Sequence, residues 1–257
     1  MEDSTPGWRL VEQKDGTALQ LRRGWKLLAA VLPGVFPLLV AVIGLGLWRT
    51  LVVMSGISSG ERVGTVLVIV VPLALWLLAV SVLARGGAYK APLAITAGVL
   101  LPPVVGFLLL TRLPLLPQLL DATPRSWLIG FMVVRLVGGV FLAVWASGEV
   151  AKPQFNVWAG SMDVFVGATA LPLAWWVSTG SPIALAVAVA WNLAGLLDFA
   201  GAIGISRRIP GAGAGGYMVS LDTPVVAALR PTIFGIVTWG VPLAIMIHVL
   251  SLWQLLT

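Results

Sequence analysis

WLIGFMVVRLVGGVFLAVWA, residues 127–146, holds twenty residues and a single charge, Arg135. An apolar run of about 20 residues is the length that crosses the ~30 Å hydrocarbon core of a bilayer as an α-helix. Comparable runs recur on both sides of it. They predict spans at Trp25–Trp48, Val63–Leu83, Pro92–Thr111, Trp127–Ala146, Phe155–Val177, Pro182–Ile203 and Thr232–Trp253. The last has an alternative start near Pro224. A β-barrel would instead show segments of about 10 residues with period-two alternation, and the chain has no such pattern. The expected fold is therefore all-α: a polytopic transmembrane bundle of about seven spans.

Composition agrees. Of 257 residues, 59% are hydrophobic and only 10% are charged, against about 25% charged in soluble domains. Mean hydropathy is +1.01. A soluble fold of this length would lack polar surface. The net charge of +6 fits loop residues that orient a membrane protein better than a nucleic-acid surface, so no nucleic-acid partner is expected. The absence of cysteine excludes disulfides and thiolate metal sites.

Counting basic residues by side sets the orientation. Arg9, Lys14, Arg22, Arg23, Lys26, Arg85, Lys90, Lys152, Arg207, Arg208 and Arg230 fall on the N-terminal side, and Arg49, Arg62, Arg112 and Arg125 on the other. The excess places the N-terminus in the cytoplasm, with residues 1–24 as a cytoplasmic tail and residues 25–257 as a single transmembrane domain. That tail mixes acidic and basic residues, unlike a secretory signal. The longest connection, 204–231, carries the glycine-rich run Gly211–Gly216, a flexible linker by composition. It is no P-loop, because no Gly-Lys-Ser/Thr follows. The segment Thr223–Leu229 reads as an interfacial helix or the start of the last span, and Leu113–Leu120 as a second interfacial candidate. Prolines inside the spans, the Pro102-Pro103 pair above all, predict kinks or breaks.

Few polar residues interrupt the spans, and they form the candidate site: Arg135, Asp163, Asp198 and Asn192. A lone Arg or Asp at mid-helix costs about 2.5–3.5 kcal/mol on insertion scales, so such residues face inward and pair. Helical spacing supports this. Asp163 shares its face with Asn156, Gly160 and Gly167, and Asp198 shares its face with Ala194, Gly195, Gly201 and Ala202. Small residues mark helix–helix contacts in membranes. Arg135 has Gly138 and Gly139 on one side along its helix but Phe131 and Met132 on the other. From the predicted inner helix ends, a rise of 1.5 Å per residue puts Arg135 at roughly 16 Å, Asp163 at roughly 12 Å and Asp198 at roughly 8 Å. The three can therefore meet in the cytoplasmic half. Asn192 lies higher than Asp198 and is rotated from it. His248, the only histidine, falls near the outer end of the last span and is assigned to a different layer.

Other chemistries lack their residues. The last span contains no lysine for a retinal Schiff base, and the chain has neither His-Glu-x-x-His nor Gly-x-Ser-x-Gly. No cofactor and no metal site are expected. One internal echo ranks the two aspartates together: Ala159-Gly160-Ser161-Met162-Asp163-Val164 and Ala194-Gly195-Leu196-Leu197-Asp198-Phe199 share Ala-Gly-x-(Met/Leu)-Asp-apolar.

Several pieces resemble a known pattern: Arg135-Leu136-Val137-Gly138-Gly139-Val140-Phe141-Leu142, Gly148, Phe155, Ala159–Asp163, Asn192–Asp198, Val241-Pro242 and His248. Across them the chain resembles a family of uncharacterised bacterial multi-pass membrane proteins. The likeness covers about the C-terminal half. It implies a bacterial cytoplasmic membrane and no particular activity. Two readings of the Arg/Asp set stay open. In one it is the ion, proton or substrate site of a small transporter or ion-conducting protein. In the other it is a structural ion network in a membrane sensor or assembly protein. The expected partners are the lipid bilayer and, in the first reading, a small ligand or ion.

Overall fold

The structure, a computed structural model, describes residues 23–88, 92–146, 154–207 and 224–257. Residues 1–22 of the N-terminal tail, the glycine-rich run Gly211–Gly216 and the basic residues Lys90, Lys152 and Arg208 lie outside these. Among the described residues every regular element is helical. The helices are α1 Arg23–Val53, α2 Ser59–Arg85, α3 Pro92–Leu110, α4 Leu116–Ala122, α5 Arg125–Phe131, α6 Gly139–Ala146, α7 Gln154–Ser178, α8 Pro182–Arg207, α9 Pro224–Gly235 and α10 Val241–Leu256. A 3₁₀ segment, Met132–Gly138, joins α5 to α6, and a π segment, Ile236–Gly240, joins α9 to α10.

Six of these helical stretches are long and apolar enough to cross a membrane: Trp25–Val53, Ser59–Arg85, Arg125–Ala146, Gln154–Ser178, Pro182–Ile205 and Ala228–Leu256. A shorter apolar helix, Ala94–Leu110, accompanies them. Of the two expectations for Thr223–Leu229, the second holds: from Pro224 onward the segment is helix continuous with the last span. Two expectations are corrected. Pro102 and Pro103 do not break α3, which runs on through both. The connector helix is α4 rather than Leu113–Leu120, and Leu116, Leu119 and Leu120 turn into the bundle. Its last turn is held by Gln254, whose Nε2 donates to the Leu120 carbonyl at 2.5 Å and also to the Thr123 carbonyl.

Proline leaves its mark on the last span. A proline ring inside a helix collides with the carbonyl four residues earlier; for Pro242 that is Thr238. The chain widens there: the Val241 N–H bonds to the Ile236 carbonyl, five residues back. Such π-bulges are rare and concentrate at functional sites.

Neighbouring helices meet through glycines, and the pairs fix direction. Gly130 faces Leu171 and Ala174, Gly139 faces Val164, and Gly160 faces Phe141 and Leu142. The numbers run oppositely, so α5–α6 and α7 are antiparallel. Gly98 faces Thr238 and Gly106 faces Met246, so α3 runs parallel to the last span. Without a hydrophobic drive between helices in lipid, such close backbone approach carries the association. The last span is the central one: 67% of its apolar window is buried, against 6% for α2. Trp239 anchors it to the α1–α2 hairpin. Its ring packs edge-on to Phe36 at 5.7 Å, and its Nε1 donates to the Leu73 carbonyl at 3.3 Å. The apolar outer faces of α1 and α2, including Leu38, Leu45, Leu67 and Leu75, remain exposed.

Candidate functional site: a buried arginine between two aspartates

Arg135 lies in the 3₁₀ segment at the middle of its span and is buried. Its Nε donates to Asp163 Oδ1 on α7 at 2.7 Å, and its Nη2 donates to Asp198 Oδ2 on α8. These are the ion pairs among the described residues. The guanidinium also sits 4.4 Å from the centre of the Phe199 ring, a cation–π contact. Gly138 makes the first pair possible: a Cβ there would overlap the Asp163 carboxyl. The three residues expected to meet therefore do meet.

His248 joins them, contrary to its assigned layer. Its Nε2 lies 3.4 Å from Arg135 Nη1, and its Nδ1 lies 2.8 Å from Asn192 Oδ1. Arginine has only donors, so Nε2 is the acceptor and the ring proton sits on Nδ1, donated to Asn192. Asn192 Nδ2 in turn donates to the Ala188 carbonyl at 2.8 Å and to Ser251 Oγ at 3.1 Å. Asn192, expected at the margin, is the link between Ser251 and the histidine. Arg135, Asp163, Asp198, Asn192, His248 and Ser251 are all buried. Trp191 and Phe199 flank the imidazole at 5.5 and 6.2 Å.

The depth estimate for His248 failed for two reasons. The last span extends to Leu256, which puts His248 roughly 12 Å from its end. The antiparallel register of α8 and α10 also sets Gly195 directly against the imidazole. A readable signal was present: His248, Ser251 and Gln254, spaced three apart, form a polar stripe on an otherwise apolar helix.

A cavity of about 40 Å³ adjoins the arginine, lined by Arg135, Asp163, Phe131, Phe199, Trp239 and Leu243 among others. It has room for about two or three waters. Asp198 Oδ1 is buried and makes no hydrogen bond of good geometry among the described residues, and the Trp158 indole of α7 stands beside this carboxylate as a donor. Those residues contain no group of three His, Asp or Glu side chains arranged to hold a metal ion. The set has no nucleophile beside a base. Its side chains supply charge pairing and a buried chain of hydrogen bonds.

Fold and site together define an α-helical membrane protein with an ionic centre. Residues 92–256 match the family model described as a domain of unknown function, DUF8737, and the chain belongs to that family. The matched region runs from α3 to the last helix and holds every residue of the ionic centre. The α1–α2 hairpin precedes it. No curated protein and no solved structure matches the chain.

Proposed function

We propose that this protein is a small proton-coupled transporter of a bacterial cytoplasmic membrane, with the Arg135–Asp163–Asp198 set as its proton site. One observation carries the reading: a single arginine is buried against two carboxylates, and its fourth neighbour is a histidine that accepts from it. With both carboxylates ionised the centre holds one uncompensated negative charge. An unpaired buried charge costs several kcal/mol, and binding one proton removes it. Intramembrane ionisable residues commonly mark such relays. The buried chain Ser251–Asn192–His248–Arg135 supplies a polar path from the centre toward one end of the bundle. Non-α backbone flanks the centre on two sides, the 3₁₀ segment that carries Arg135 and the π segment that carries Trp239, and such stretches often mark hinges.

In this reading α3, 19 residues long and so about 28 Å, is a seventh span. The basic residues put the Arg85 end in the cytoplasm and the Arg49 end outside. The test is proton flux into proteoliposomes under an imposed pH gradient. Wild-type protein is expected to conduct or exchange protons, and folded Asp163→Asn and Asp198→Asn variants to lose that flux. Equal flux in all three sinks the reading.

A second reading rests on the same arginine, which ties its own span to α7, α8 and the last span at one point. As a static lock it would serve a membrane sensor or assembly protein. The two aspartate substitutions would then lower stability without any proton flux to lose.

A further inference from the structure

A second, much larger cavity lies where the α1–α2 hairpin meets the family-matched region. Its volume is about 1050 Å³, at the upper limit of the roughly 300–1,000 Å³ typical of small-molecule sites. Phe131 and Leu243 line both cavities and so stand between the large one and the ionic centre. Its walls are overwhelmingly apolar, drawn from α1, α2, α3, α4, α5, α7 and the last span.

The polar groups gather at one end. Arg49 lies near the end of α1, with its guanidinium 5.1 Å from the centre of the Trp127 ring. It is exposed and has no carboxylate partner among the described residues. Trp127 and Trp175 stand at the same rim, as tryptophans do at the bilayer–water boundary. Along α1 the cavity runs from Thr50 down to Val42, roughly 12 Å. One leaflet contributes about half of the ~30 Å hydrocarbon core, so this depth matches acyl chains descending from a headgroup at Arg49.

We infer that the cavity is a binding site for an anionic phospholipid of the surrounding bilayer, its acyl chains between the hairpin and the last span and its phosphate at Arg49. A phosphate beside the guanidinium gains a charge-assisted hydrogen bond, and the apolar walls take the chains. Gly46 lines the cavity, and a Cβ there meets nothing within 4 Å, so a larger side chain can enter the space without moving the backbone.

The test is native mass spectrometry of the full chain, exchanged into mixed micelles of phosphatidylglycerol and phosphatidylcholine with matched chains. Wild-type protein is expected to retain phosphatidylglycerol in preference. Gly46→Phe should lose retained lipid of both kinds. Arg49→Gln, at an exposed position, should keep lipid but lose the anionic preference about fivefold, the scale of one basic side chain near charged headgroups. Equal retention of both lipids by wild type, or an unchanged preference in Arg49→Gln, overturns the assignment. So does undiminished lipid in folded Gly46→Phe.

Discussion

Gly195 of α8 lies directly against the imidazole of His248, so close that a Cβ would overlap the ring at Cε1 and Nε2. Nε2 is the atom that faces Arg135, and the other ring nitrogen bonds Asn192. This backbone contact thus places the histidine in the centre of the bundle. Gly195→Ala is expected to push the ring away, break both contacts and destabilise the protein by about 1–3 kcal/mol, the usual effect of overpacking. Thermal unfolding reads the loss. Histidine ¹⁵N spectra should show the Nδ1–H tautomer in wild type and its disturbance in the variant.

Gly138 plays the matching part for Asp163, whose carboxyl fills the place of the missing side chain. Gly138→Ala should separate α7 from the 3₁₀ segment and strain the Arg135–Asp163 pair, with a loss of similar size. Gly34 of α1 is the control: it is exposed and a Cβ there meets nothing within 4 Å. Gly34→Ala should stay within about 0.5 kcal/mol of wild type. Equal effects of the two substitutions, measured by urea unfolding in the same detergent, would contradict the packing described.

Much of this was legible in the chain. Apolar runs gave the helices, and small residues beside Asp163 and Asp198 gave their inward faces. The meeting of Arg135 with both followed from pairing energetics. His248 was not legible by depth, because its position depends on how far the last helix runs and on its register with α8. Both are tertiary facts, set by Gly195 and by the bond from Gln254 to the connector. The 3₁₀ segment at Met132–Gly138 left no trace in residue spacing, because it contains no proline and its side chains suit an α-helix equally well. The large cavity was equally hidden, since it arises from how the surrounding helices pack together and not from any one of them.

Removing the arginine alone should be worse than removing the whole set. Arg135→Met strands two buried carboxylates, and breaking a buried pair in this way costs about 3–5 kcal/mol. Arg135→Met combined with Asp163→Asn and Asp198→Asn carries no charge to strand and should recover most of that stability. A triple variant that is stable yet inactive in proton flux separates the working centre from the lock.

The charge balance also sets a pH dependence. The groups facing the centre from the packed elements are Arg135, Asp163, Asp198 and His248. With one proton bound the centre is neutral, and without it one negative charge is unpaired. Raising the pH removes that proton, so wild-type stability should fall toward alkaline pH. Asp198→Asn leaves one arginine with one aspartate and should flatten the curve. Unfolding midpoints across a pH series give the slope, and parallel curves for the two proteins would argue against a shared proton.

The most direct test counts that proton. Purified protein in lipid nanodiscs is titrated in weakly buffered solution, and the protons released by wild type and by Asp198→Asn are compared. Over about pH 5 to 9, above the ordinary carboxylate range, wild type should release one proton per chain more than the variant. Identical release from the two proteins would contradict it.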